Sequence, residues 1–240
     1  MDSKAAIHTE YGKELTVDQV QIPDPRPDQV IVKLHSSGIC HSQLHQMHNP
    51  EGPTPALLGH EGTGTVVAKG SDVTHLEEGD LAIVTWVNRE PLKGRPIFPP
   101  TGVTYNEAPL NGATYTWGEH VLVRSGYVVK IPKSSDKYNS SIVGCAVLTG
   151  AGAVLHTAKV RPEESVAIFG VGGVGLSSLI MASILEAYPI IAVDISDEKL
   201  EFAKKFGATH TINSTKEDPV KAIHEITSGG SDYSFDTIGI

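Results

Sequence analysis

SVAIFGVGGVGLSSLIMASILEAYPIIAVD, residues 165–194, is the run from which the fold is read. Its opening residues, SVAIF, are short, apolar and β-branched, the pattern of a strand buried on both faces. They lead straight into Gly170-Val171-Gly172-Gly173-Val174-Gly175. Beyond that turn Val174, Leu176, Leu179, Ile180 and Ile184 recur at helical spacing. Pro189 interrupts the pattern, and IIAVD gives a second strand that ends on an acid, Asp194. The order is strand, glycine turn, helix, strand, carboxylate.

Each part of that order has a physical use. Gly170 permits a tight turn, Gly172 lets a pyrophosphate approach the backbone, and Gly175 lets the helix pack closely on the strand. A pyrophosphate placed there meets free N–H groups at the positive end of the helix. Asp194, about 20 residues on, can accept both hydroxyls of an adenosine ribose and would repel a 2′-phosphate. Turn, flanking elements and acid together predict a dinucleotide site, with NAD favoured over NADP. A glycine turn alone is a weak signal, and the competing reading is a buried βαβ unit with no ligand.

With 240 residues the chain can form one large domain or two ordinary ones around a sizeable core. A formal net charge of −9 argues against nucleic acid or an anionic membrane as the main partner. MDSKAAIHTEYGKE has no basic start and no early apolar run, so it is not read as a signal peptide. The most apolar window, around Leu176 to Leu185, is too short to span a membrane. The only cysteines, Cys40 and Cys145, speak against a disulfide scaffold and for a cytoplasmic setting.

Up to about Ile131, the runs KELTVDQVQI, QVIVKLHSSGI, GTGTVVAKG, LAIVTWV and HVLVRSGYVVKI predict short strands punctuated by Gly, Pro and Asp. Asn88 to Trp117 is rich in Pro and Gly, lacks periodicity, and is expected to be a long surface excursion. From Ser140 the texture changes, with small residues at helical spacing in SSIVGCAVLTGAGAVLHTAKV. Ser196 is expected to cap a helix over SDEKLEFAKKFG that stops at Gly207, and ATHTIN is a third strand. Asp218-Pro219 opens a helix closed by Gly229-Gly230, and YSFDTIGI is a fourth strand. The predicted class is α/β with a β-rich module ahead of a parallel sheet, divided into domains 1–148 and 149–240.

Five histidines crowd between His35 and His60, close to Cys40. Cys40, His60 and Cys145 could together supply two thiolates and an imidazole, and a catalytic zinc wants three protein ligands with a fourth position open. On spacing alone the same residues read equally well as surface histidines and inert or disulfide-bonded cysteines.

GICHSQLH, LLGHEGTGTVV, LEEGDLAIV, GCAVLTGAGAVL, GVGGVG and VDISDEKLEFAKKFGATHTIN occur in the order found in zinc-dependent medium-chain alcohol dehydrogenases. The chain resembles that family over nearly its whole length. The resemblance implies a GroES-like, β-barrel-type catalytic domain followed by a Rossmann coenzyme domain. It implies an oxidoreductase that interconverts small-molecule alcohols and aldehydes or ketones by hydride transfer to NAD. One catalytic zinc is implied on Cys40, His60 and Cys145, with Glu61 as a carboxylate able to swing onto the metal. Ser42 matches the hydroxyl that takes the alcohol's proton, and His45 the base that relays it to solvent. His41 falls where a basic residue meets the pyrophosphate, and Thr149 and Val174 where side chains pack on the nicotinamide. Lys199 matches a residue that reaches the adenosine ribose beside Asp194. Taken without the family, Ser42 and His45 read as helix-capping residues, Lys199 as a solvated charge and Val174 as core.

Three departures stand out. Gln43 occupies the place of an Asp bonded to the zinc-binding histidine; an amide can accept that bond but brings no charge, and such losses cost about 10- to 100-fold in metal affinity or activity. Asn88 to Trp117 contains no cysteine, which excludes there the structural zinc carried by many members. The chain also stops at the fourth strand of a sheet that has about six. It therefore reads as C-terminally truncated, and the open edge at YSFDTIGI leads to the expectation of a homo-oligomer. The competing function is a non-catalytic dinucleotide-binding fragment or interaction protein.

Overall fold

In the computed structural model, which describes residues 1–89, 101–112 and 114–239, the chain divides into the units Met1–Cys145 and Ala146–Ile240. The first unit carries, in order, β1 (Asp2–His8), β2 (Thr16–Gln21), β3 (Gln29–Ser37), α1 (His41–Met47), β4 (Ala56–Leu57), β5 (Gly62–Lys69), β6 (Leu81–Val84), β7 (Thr104–Tyr105), β8 (Ala108–Pro109), β9 (His120–Arg124) and β10 (Val128–Lys130). Two five-stranded sheets result, in the orders β4-β1-β2-β7-β8 and β10-β6-β5-β3-β9. Ile7 and Val20 of the first sheet share one apolar core with Val32, Val66, Val84 and Val121 of the second. Val, Ile and Leu suit these short strands because their stiff, branched side chains fill a pleated, buried surface.

Two features differ from the sequence reading. β1 is absent from the expected strands, yet it pairs with β2 over Asp2↔Gln21 to Ile7↔Thr16 and buries Ser3, Ala5 and Ile7 on one face. Alternation carried by Ser and Ala is a weak hydrophobic signal. The expected excursion over Asn88 to Trp117 lies partly outside the described residues, at 90–100 and 113. Its described remainder is part surface and part core: Val103, Leu110, Tyr115 and Thr116 are buried, and the Tyr115 hydroxyl accepts the Leu122 N–H at 3.0 Å.

In the second unit α2 (Ala146–Gly152) continues into a π turn over Ala153–Ala158, followed by Lys159 in the left-handed conformation. Next come β11 (Val166–Phe169), α3 (Gly173–Ile184), β12 (Ile190–Asp194), α4 (Asp197–Lys204), β13 (His210–Asn213), α5 (Pro219–Thr227) and β14 (Tyr233–Asp236). The sheet is parallel in the order β13-β12-β11-β14, that is third, second, first, fourth, the order of a doubly wound nucleotide-binding half. Strand alternation sorts the core. Val166, Ile168, Ile190 and Ala192 face Leu179 and Ala182 of α3, whereas Ala167, Ile191 and Val193 pack with Ala222 and Ile223 of α5. The Ser196 hydroxyl caps α4 by accepting the Lys199 N–H, and Asp218 caps α5 by accepting from Val220 and Lys221. α5 ends at Ser228 in the left-handed conformation, one residue before the glycine pair expected to close it. No described helix is long and apolar enough to cross a membrane.

Candidate metal centre and coenzyme turn

Three loops of the first unit deliver the metal-ligand candidates. Cys40 follows the end of β3 and forms the N-terminal boundary of α1. His60 lies between β4 and β5. Cys145 follows a 3₁₀ segment, Asn139–Gly144, that packs against β3, β5 and β6. Gly144 makes this approach possible, since a Cβ there would stand 2.5 Å from the Val84 carbonyl oxygen. The Thr85 hydroxyl then ties the segment down by donating to the Gly144 carbonyl at 2.6 Å.

The result is a cluster in which the ligand atoms of Cys40, His60 and Cys145 lie within 4.8 Å of one another. Both cysteines are free thiols, so the disulfide alternative is set aside. The donor set suits zinc: two sulfurs and an imidazole, with His60 Nε2 buried and lacking any hydrogen-bond partner. Burial holds the His60 imidazole below its usual pKa, which favours the neutral ring a metal needs. Burial, together with the adjacent Cys40 and Glu61, pushes the Cys145 thiol up to about 12, against a smaller opposing effect of Trp86. A cation must therefore displace that proton, as metals do when they bind thiols.

Around this cluster lies a cavity of about 680 Å³ whose walls include Ser42, Pro53, Leu57, Leu58 and Trp86 together with all three candidates. Glu61 is buried, and its carboxylate fills the space a side chain on Gly38 would need, with Oε1 only 2.5 Å from that Cβ position. Gln43 is also buried: its Oε1 accepts the Cys40 N–H at 3.0 Å, while its Nε2 stands 2.8 Å from His60 Nδ1 and 3.3 Å from Ser42 Oγ. The sequence reading had this amide accept from His60; the structure gives its one oxygen to the Cys40 backbone instead.

In the second unit the glycine turn has the shape its spacing predicts. Gly170 sits at φ +89°, in the left-handed region where glycine is free of strain. Gly172 opens on space with no atom within 4 Å of a would-be Cβ, whereas Gly175 lies directly against the Gly170 carbonyl. Asp194, at the end of β12, accepts the Val171 N–H at 2.8 Å and the Ser196 N–H at 3.0 Å. Burial works to raise its pKa, but those N–H groups and the charge of Lys199 outweigh it and hold the carboxyl below its usual range. The carboxylate is ionised and tied to the turn.

Comparison with known proteins decides the family. Residues 26–133 match the alcohol dehydrogenase GroES-like domain, and residues 173–240 match the zinc-binding dehydrogenase family. S-(hydroxymethyl)glutathione dehydrogenase of Synechocystis sp. is 35% identical over 265 residues, covering 100% of this chain and 72% of that protein. The chain belongs to the zinc-dependent medium-chain alcohol dehydrogenases. Among solved structures of such dehydrogenases, an alcohol dehydrogenase zinc-binding domain protein from Burkholderia ambifaria superimposes with a TM-score of 0.93 at 33% identity, covering 100% of this chain and 71% of that one. Benzyl alcohol dehydrogenase from Acinetobacter calcoaceticus gives 0.88 at 34%, with the same coverage. The chain is thus a zinc-dependent alcohol oxidoreductase by family, and its substrate is a small molecule.

For this dehydrogenase the sequence-derived site residues fall into two groups. Cys40, Ser42, His60 and Cys145 meet at the cavity of the first unit, with Glu61 buried next to His60 in the chain. His41 and His45 stand on the exposed side of α1, their rings 4.9 Å apart. In the second unit, exposed Thr149 lies on α2 and half-buried Val174 on α3, two helices that pack together; Lys199 is exposed on α4. Trp86 was missed. It lines the cavity, its ring lies 6.5 Å from that of His60, and it touches the Cys145 thiol. Its one signal is its place just past the buried strand LAIV, where a large exposed indole needs a reason.

Proposed function

We propose that Cys40, His60 and Cys145 hold one catalytic zinc and that the hydride acceptor is NAD, bound at Gly170–Gly175 and Asp194. In this reading residues 1–148 form the catalytic domain and residues 149–240 the coenzyme domain. The convergence of two thiols and an imidazole on one cavity wall, within 4.8 Å, carries it. Bound zinc supplies a Lewis acid at the substrate oxygen, and bound NAD supplies the hydride acceptor. The protein's own groups place the alcohol and move its proton. The Ser42 hydroxyl, on the cavity wall, takes that proton, and His45, one turn further along α1, passes it to solvent. Glu61 waits behind the cluster as an alternative ligand during exchange. His41 meets the pyrophosphate, Thr149 and Val174 pack on the nicotinamide, and Lys199 stands beside the adenosine ribose. The cytoplasmic setting and the homo-oligomer belong to the same proposal.

The cavity favours an alcohol with a bulky apolar group. Pro53, Leu57, Leu58 and Trp86 supply its walls, an apolar lining suited to a large nonpolar group. A volume of about 680 Å³ also exceeds what ethanol needs. Native mass spectrometry of the chain supplied with zinc is expected to show one zinc per chain and to report the assembly. With zinc loaded, benzyl alcohol is then expected to yield NADH with a higher kcat/KM than ethanol or S-(hydroxymethyl)glutathione. Silence towards every alcohol, with zinc and NAD both bound, would sink the reading.

Asp194 provides a separate check on the coenzyme. Replacing it with alanine removes the acceptor of the Val171 and Ser196 N–H groups and the charge that would repel a 2′-phosphate. Asp194→Ala is expected to weaken NAD binding by about tenfold or more, the scale of a lost charge-assisted hydrogen bond, and to narrow the preference over NADP. Unchanged preference in coenzyme titrations would remove Asp194 from that role.

A further inference from the structure

Gln43 bridges the two ligand candidates that flank it in space, and it is 1% exposed, so water cannot stand in for a lost partner. A backbone N–H is a donor in every state of the protein. The end of the Gln43 amide that faces the Cys40 N–H, at 3.0 Å, must therefore be the carbonyl oxygen. The end that faces His60 Nδ1, at 2.8 Å, is then the NH₂ group. It follows that Nδ1 accepts, and that in the neutral ring the proton sits on Nε2. Nε2 is the buried nitrogen with no hydrogen-bond partner, the one left to face a metal.

A metal takes only a nitrogen with a free lone pair. Binding through Nε2 moves the ring proton to Nδ1, where it meets the amide NH₂, donor against donor. Turning the amide end for end relieves that conflict and creates the same one at the Cys40 N–H. Gln43 offers one acceptor to two donors. In a buried setting an unmade hydrogen bond costs more than a typical one gains, so the conflict falls directly on metal affinity.

We propose that Gln43 is a positioning residue that holds metal-free His60 in the Nε2–H tautomer, so that zinc capture costs the amide its hydrogen bond either to His60 or to the Cys40 N–H, and the site binds zinc weakly and exchangeably. The inference rests on reading Cys40, His60 and Cys145 as the zinc ligands. Glu at position 43 has nearly the same shape and two acceptors, which satisfy the Cys40 N–H and a His60 Nδ1–H together.

The test uses the full chain. Long-range ring correlations in nitrogen-15 NMR are expected to show His60 with its proton on Nε2 in the metal-free protein and on Nδ1 after zinc is added. Competition against a chelator at one fixed, mildly alkaline pH is expected to show Gln43→Glu binding zinc about 10- to 100-fold more tightly than the wild type. Equal affinity in two proteins that both bind zinc would overturn the role of Gln43 and leave the ligand assignment standing. An Nδ1–H tautomer in the metal-free wild type would overturn it without any variant, and that measurement decides alone should Gln43→Glu fail to fold. If neither protein binds zinc, the ligand reading falls and this inference with it.

Discussion

Replacing Cys40 with serine is expected to empty the metal centre and stop catalysis, while leaving the fold in place. A serine hydroxyl is protonated at neutral pH and is a harder donor than a thiolate, so the variant keeps only one sulfur and one imidazole for the metal. Loss of an outer partner of a zinc ligand costs about 10- to 100-fold in affinity or activity, and loss of a ligand costs more. Cys40 is half-buried at the edge of the cavity and lies outside the apolar core. Its backbone N–H bond to Gln43 also survives the change, so the start of α1 stays fixed. With zinc supplied to both proteins, the expected readings are zinc content falling from about one per chain to near zero, no measurable alcohol oxidation and an unchanged circular dichroism spectrum. Unchanged zinc content would refute the ligand assignment, and lost zinc with retained activity would refute the catalytic role.

How much of this could be read in the sequence varies with the kind of signal. The second unit was legible because its signals are local. A buried strand, a glycine turn, a helix with a capped start and an acid at a strand end all lie within a few residues of their own causes. Ser196 caps the helix it was expected to cap, and Asp218 caps the one that Asp218-Pro219 was expected to open, because a side-chain oxygen reaching an N–H two or three residues on needs nothing from the rest of the protein. The first unit depends on long-range pairing. β1 went unread because Ser3 and Ala5 carry a weak hydrophobic pattern, and only its pairing with β2 makes it a strand. Tyr115 and Val103 lie in a stretch whose lack of periodicity reads as a surface excursion, yet both are fully buried. The metal cluster is the extreme case: its third member lies more than eighty positions from the second in sequence and is brought in by Gly144 and Thr85. Family resemblance supplied that contact; spacing could not. The orientation of the Gln43 amide was out of reach for a different reason, because it is set by a backbone N–H whose direction exists only once α1 has formed.

Alanine at Gly175 and alanine at Gly172 are expected to fail in opposite ways, which separates folding from coenzyme binding in the same turn. At Gly175 the new methyl would collide with the Gly170 carbonyl and stand 2.9 Å from Thr237 Oγ1. Neither neighbour can yield cheaply. The Gly170 N–H is bonded to the Val193 carbonyl at 2.8 Å, and the Thr237 hydroxyl reaches the Phe169 and Gly170 carbonyls at 2.9 and 2.8 Å. Relief must come from lifting α3 off β11, at a cost at or above the upper end of the roughly 1–3 kcal/mol typical of overpacking. At Gly172 the same methyl meets nothing, and φ is −89°, which any residue adopts. Gly172→Ala should therefore fold with near-wild-type stability, yet its methyl would occupy the open space over the start of α3, where the proposed pyrophosphate approaches the backbone. Denaturation curves and NAD titrations on both variants give four numbers. The expected pattern is a large stability loss for Gly175→Ala, and for Gly172→Ala a loss of NAD affinity alone. Full NAD affinity in Gly172→Ala would mean that the coenzyme phosphates do not sit in that opening, and the site would have to be sought elsewhere on the unit.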